Sequence, residues 1–148
     1  MKHGSDLDSL LGYQLQMANL LAITDARDSL AEYGITPAKL TALMLIRANP
    51  GCDQTALGRA LMINRSSAMK IVNFLEDKGF IERRPGRNLR TNALHVRPEG
   101  ESRLTEMLNR LREADARLSE RLTAGERDTL FKLLRKLGPA RVKRAAAA

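Results

Sequence analysis

Apolar residues in this chain recur mostly at three- and four-residue spacing, the period of a helix with one buried side. The first long stretch, LDSLLGYQLQMANLLAITDARDSLAEYG, predicts one helix ending at Gly34, a residue favoured just past a helix C-terminus. Its apolar positions fall on two stripes, Leu10, Met17, Leu20 and Leu21 on one, Leu7, Leu11, Leu15, Ala18 and Ala22 on the other. So wide an apolar arc predicts burial on two sides, one against the chain's own core and one against a second copy. TPAKLTALMLIRANPG predicts the next helix, with Thr36 as cap, Pro37 in the first turn and Pro50-Gly51 as its end. DQTALGRALM predicts a short helix capped by Asp53, with Leu57, Ala60 and Leu61 facing inward. After a break at Ile63 and Asn64, RSSAMKIVNFLEDKG predicts a helix capped by Asn64 and closed by Gly79. Ala68, Ile71, Val72 and Leu75 form its inward stripe, and Arg65, Ser66, Met69, Lys70 and Asn73 lie opposite.

The period then changes from helical to alternating. FIERR (80–84) and NALHVR (92–97) predict the two strands of a hairpin, joined by the basic turn-forming stretch PGRNLRT. PEGESRLTEMLNRLREADARLSERL returns to helix, with Leu104, Leu108, Leu111, Leu118 and Leu122 at seam spacing and Glu99 and Glu101 in the first turn, where the helix dipole favours acids. TAGE, from Thr123 to Glu126, is a capping box that opens a last helix bearing Leu130, Leu133, Leu134 and Leu137 and stopping at Gly138-Pro139. The tail ARVKRAAAA is basic, then featureless, and no internal repeat is present. The expected fold is mainly α with a small β-hairpin. Its parts are an N-terminal helix over 1–35, a central module over 36–97, and C-terminal helices with a basic tail over 98–148.

Composition narrows the function classes. At 148 residues, 28% charged and 43% hydrophobic, the chain matches one globular domain. No apolar run approaches the roughly 20 residues of a membrane span. MKHGSDLDSL lacks the apolar core of a signal peptide, so a cytoplasmic protein with no membrane partner is expected. The single cysteine, Cys52, excludes an internal disulfide. With two histidines and no ligand cluster, neither a metal nor a cofactor is expected. No phosphate-binding glycine loop, carboxylate pair in an apolar setting or activated nucleophile is present, so an enzyme is not expected.

Charge is unevenly spread. The net charge is +8, but residues 1–58 carry 4 basic and 6 acidic side chains while residues 59–97 carry 9 basic and 3 acidic. Residues 98–148 carry 12 basic and 8 acidic. A local basic surface fits a polyanion, either nucleic acid or an acidic membrane face, and also fits a face kept for solubility. Element order favours nucleic acid. Two helices joined by a short break, the second with a polar face, make a helix-turn-helix, and a hairpin directly after it makes the module winged. The recognition helix would enter the major groove of double-stranded DNA, where Arg65, Ser66, Ser67, Lys70 and Asn73 would meet base edges or phosphates, with Thr55 on the preceding helix. Arg84, Arg87, Asn88 and Arg90 at the hairpin tip would reach phosphates or the minor groove. A dimer formed by the leucine seams would match two half-sites of an inverted repeat. An architectural protein that coats DNA without sequence preference is the alternative reading.

The stretch TALGRALMINRSSAMKIVNFLEDKGFIERRPGRNLRTNALHVRPEG resembles the core of the MarR family of winged-helix transcription regulators, and the resemblance extends over nearly the whole chain. LEDKGFIERR and the closing PEG are its most specific pieces. The resemblance implies a homodimer joined by N- and C-terminal helices, usually a repressor released by a small molecule or an oxidant. The family's wing usually carries Asp-x-Arg. Here Asn88 and Arg90 stand at those places, and Arg97 stands where a Thr usually precedes PEG. The family's effector region maps to Met17, Leu21, Leu43, Ile46 and Arg47, for an aromatic, anionic or lipophilic compound. One branch senses peroxide through a cysteine in the first helix, where this chain has none. Cys52 instead precedes the cap Asp53 at the spacing of a hydrophobic staple with Leu57, which favours a packed side chain over a redox switch.

Overall fold

The structure, a computed structural model, describes residues 5–86 and 92–137. Its elements in chain order are α1 (Ser5–Asp8), α2 (Leu11–Leu30), α3 (Pro37–Ala48), α4 (Gln54–Ala60), α5 (Arg65–Asp77), β1 (Ile81–Pro85), β2 (Asn92–Val96), α6 (Pro98–Leu118) and α7 (Ala124–Leu137). The mainly helical fold with one hairpin is the architecture expected from the sequence.

Local chemistry sets most boundaries. Thr36 caps α3 by accepting from the Lys39 N–H at 3.4 Å, and Pro37 occupies the first turn. The capping box at α7 forms both ways: the Thr123 N–H donates to the Glu126 carboxylate at 2.8 Å, and the Glu126 N–H to Thr123 Oγ1 at 3.3 Å. The Thr123 N–H and the Thr123 hydroxyl, which donates to the same oxygen at 2.8 Å, hold the Glu126 carboxyl below the usual carboxylate range.

The single long N-terminal helix expected from the pattern is interrupted at both ends. Ser9 donates its hydroxyl to the Asp6 carbonyl at 2.8 Å, and Leu10 turns extended at φ −85° and ψ 116°, separating α1 from α2. A serine bonding to local backbone competes with helix continuation. At the other end the chain tightens into a 3₁₀ turn over Ala31–Tyr33 before Gly34 takes a φ of 60°.

The core gathers Leu30, Leu40, Leu43, Ile46, Leu57, Val72, Leu75, Phe80, Ile81, Leu94, Leu104 and Met107 from the end of α2, every layer of the winged module and α6. Each such side chain contributes about 2 kcal/mol by leaving water. Ala60, expected to face inward, is exposed, because the seven-residue α4 presents only Leu57 and Gly58 to the interior. The hairpin pairs Ile81 with Val96 and Arg83 with Leu94. Residues 51 and 52 add a short bridge to the other edge of β2, with Gly51 N–H donating to the Leu94 carbonyl and Leu94 N–H to the Cys52 carbonyl, both at 2.9 Å.

α6 starts hard against the hairpin base. The Arg97 N–H donates to the Phe80 carbonyl at 2.9 Å, and a Cβ on Gly100 would overlap that same carbonyl. Glycine in PEG is therefore a packing requirement. Further along, α6 runs beside α2, where Arg117 donates to Asp25 Oδ1 at 2.8 Å and Ser29 Oγ at 3.0 Å. The apolar seam is not closed within one chain. No residue of α7 is buried, Leu133 and Leu137 are 52% and 57% exposed, and Leu20 and Leu21 on α2 reach 56% and 62%.

Candidate nucleic-acid interface

The interface is built by how α4 and α5 cross. A Cβ on Gly58 would lie 3.3 Å from the Ala68 Cβ, so glycine lets the two helices approach closely. Between them Met62 takes a left-handed φ of 54°, and the Ile63 N–H returns to the Gly58 carbonyl at 3.0 Å. Asp53 caps α4 through the Ala56 N–H at 2.7 Å, and Asn64 caps α5 through the Ser67 N–H at 2.8 Å. With Ala68, Val72 and Leu75 fixed inward, Arg65, Ser66, Met69, Lys70 and Asn73 are exposed and Ser67 is half-buried. The first turn of α5 holds no acid and begins with Arg65, a cation at the positive end of the helix dipole. That placement does nothing for the helix and suits an external anion.

The wing is tied to this helix. Arg83 on β1 reaches back with both terminal nitrogens, Nη1 donating to Glu76 Oε2 and Nη2 to Asn73 Oδ1 at 2.5 Å. Asn73 is thus engaged by the wing, whereas the sequence pointed it at DNA. Arg83 was passed over in the sequence, although a signal exists: it shares a strand face with buried Ile81 and lies opposite buried Leu94. An arginine on an inward strand face needs an acceptor. Arg84, expected at the wing, is exposed and donates to Glu82 Oε1 at 2.6 Å. Arg87, Asn88 and Arg90 lie outside the described residues. Thr55 is exposed on α4 and joins Gln54, Arg65, Arg83 and Asn92 around a cavity of about 190 Å³ at the foot of the wing. Beside α5, Lys39 Nζ sits 3.3 Å from the centre of the Phe74 ring, adding a cation to that flank.

None of the five residues mapped to an effector site lines the groove between α2 and α6. Leu43 and Ile46 are fully buried in the core, Met17 is half-buried, Leu21 is exposed, and Arg47 lies 3.9 Å from Glu101. That groove, of about 360 Å³, is lined by Ala22, Asp25, Ala26, Leu108, Leu111, Arg112, Ala114, Asp115 and Leu118. Cys52 is half-buried against the core, and burial, aided by Asp53, pushes its thiol pKa up. A raised pKa suppresses the thiolate on which oxidation depends.

A helix-turn-helix with a cationic, hydroxyl-bearing outer face, tied to an adjoining arginine-rich hairpin, defines a winged-helix DNA-binding protein. Comparison with known proteins agrees. The model of the MarR family matches residues 33–88. A putative transcriptional regulatory protein for the hcr operon of Thauera aromatica is 36% identical over 137 residues, covering 91% of this chain and 82% of that protein. The transcriptional repressor CouR bound to a 23-mer DNA duplex superposes with a TM-score of 0.87 at 29% identity, covering 93% of this chain and 98% of that one. CouR bound to p-coumaroyl-CoA gives a TM-score of 0.82 at 28% identity, covering 93% and 97%. The chain belongs to the MarR family, and it is a DNA-binding transcription regulator.

Proposed function

We propose that two copies of this chain join through α1, α2, α6 and α7, bind an inverted-repeat operator, and repress transcription until a small effector releases them. The observation that carries this reading is α7: fourteen residues of amphipathic helix with none buried, its leucines exposed as are those of α2. An apolar surface of that extent is what a partner subunit covers. Symmetry then presents two α5 helices to successive major grooves of the duplex.

Within each half-site Arg65, Ser66, Ser67 and Lys70 serve the major groove and its phosphates, and Thr55 serves the backbone. Arg84, Arg87, Asn88 and Arg90 serve the wing. Asn73 supports the wing through Arg83. The effector class is read from the groove between α2 and α6: its walls are apolar, its carboxylates Asp25 and Asp115 are paired with Arg117 and Arg127, and Arg112 is left to meet an aromatic group carrying an anionic end. CouR, similar over nearly its whole length, is bound to an aromatic acyl thioester in one of its structures.

The test is selection of binding sites from random duplex DNA at physiological salt. The expected product is an inverted repeat with half-sites about 10 base pairs apart. Recovery of no motif, with binding that vanishes as salt rises, would overturn the reading in favour of nonspecific coating. Aromatic carboxylates and their CoA thioesters are then titrated against the bound operator, with release expected.

A further inference from the structure

On the outer face of α5 one side chain does not match its neighbours. Arg65, Met69 and Asn73 recur every four residues and form one row, with Ser66 and Lys70 in the row beside it. Met69 is 48% exposed in the middle of this polar and cationic surface, while the inward stripe of Ala68, Val72 and Leu75 is complete without it. Leaving a large apolar side chain in water gains the folded chain nothing. The major groove offers it one apolar feature, the C5-methyl group of thymine, and a flexible thioether adapts well to such a surface.

A second observation points the same way. An A·T pair is read in the major groove either by an amide on adenine or by an apolar contact on thymine. The amide on this row is Asn73, and its Oδ1 already accepts from Arg83 at 2.5 Å. That bond takes one of the two lone pairs of the oxygen that would accept from the adenine amino group, and it ties the amide to the wing strand. With the amide so tied, the apolar contact on thymine is the less obstructed way for this row to read an A·T pair.

We propose that Met69 is a specificity-determining residue that recognises thymine through its methyl group. This rests on the reading that α5 enters the major groove of a specific operator. The experiment takes the operator recovered by selection and replaces each thymine in turn by deoxyuridine, which removes the methyl and leaves every hydrogen-bonding group. Dissociation constants are measured for the full-length wild type, Met69→Ala, Met69→Gln and Met69→Leu. The wild type is expected to lose about fourfold, the value of one buried methyl, at one or two adjacent positions per half-site. Met69→Ala and Met69→Gln should bind the operator more weakly yet be indifferent at those positions, and Met69→Leu should keep the discrimination. Wild-type indifference at every thymine would overturn the assignment, as would equal losses in the Ala and Gln variants. A selection that yields no motif would overturn the operator reading itself, and this inference with it.

Discussion

Gly100→Ala sets two forces against each other. Helix propensity favours alanine over glycine by at most about 1 kcal/mol, and less in a first turn. Packing opposes it, because the new Cβ would overlap the Phe80 carbonyl, which is backbone and cannot rotate away. Relief requires α6 to lift from the hairpin, at an overpacking cost of about 1–3 kcal/mol. Lifting also stretches the bond from the Arg97 N–H to the same carbonyl, 2.9 Å in the wild type, at a cost of about 1 kcal/mol. The net expectation is destabilisation by about 1–3 kcal/mol, a fall in melting temperature of about 3–10 °C for a chain of this size. Thermal unfolding followed by circular dichroism at matched protein concentration reads this directly, the match being needed because association makes melting concentration-dependent. A variant that melts at or above the wild type would refute the contact.

Other expectations follow from the same structure. Leu134→Glu places a charge on the open seam of α7, so light scattering should show monomers and operator affinity should fall; an unchanged dimer mass would count against that face. In a double-mutant cycle, Arg83→Ala and Glu76→Ala should couple by about 1 kcal/mol in urea unfolding. Arg83→Lys should restore only part of it, because an ammonium cannot span Glu76 and Asn73 as a guanidinium does. The capping carboxylate of Glu126 has its folded-state pKa lowered. Its contribution is therefore complete above the ordinary carboxylate value and is lost as pH falls through the lowered one. Glu126→Gln should flatten that part of the acid limb of the stability profile, and an identical acid limb would contradict the capping geometry.

The central module was legible because its signals are short-range. Thr36, Asp53 and Asn64 each cap a helix through a backbone N–H three residues on, and Gly79 takes a φ of 73° where α5 ends. Alternation fixed the hairpin to within a residue at either end. Long-range pairing was not legible. The Arg117 bonds to Asp25 span 92 positions, and nothing in either segment's periodicity announces the other. The bond from Arg83 to Asn73 was not legible because a helix face shows which side chains point outward but not which of them a neighbouring strand will claim. The split at Ser9 was hidden because its apolar pattern continues in register across the break. Nor does spacing along α3 show that Leu43 and Ile46 are fully buried, since it does not separate a buried side chain from one that lines a cavity.

The backbone of one residue carries more than its size suggests. The Phe80 N–H closes the end of α5 by donating to the Leu75 carbonyl at 2.9 Å, and its own carbonyl receives the Arg97 N–H and abuts Gly100. Backbone meets backbone there, with no side chain between them to yield. The start of α6 and the end of α5 therefore share one backbone anchor at Phe80, and α6 cannot approach the hairpin more closely or tilt there without displacing the residue that closes α5.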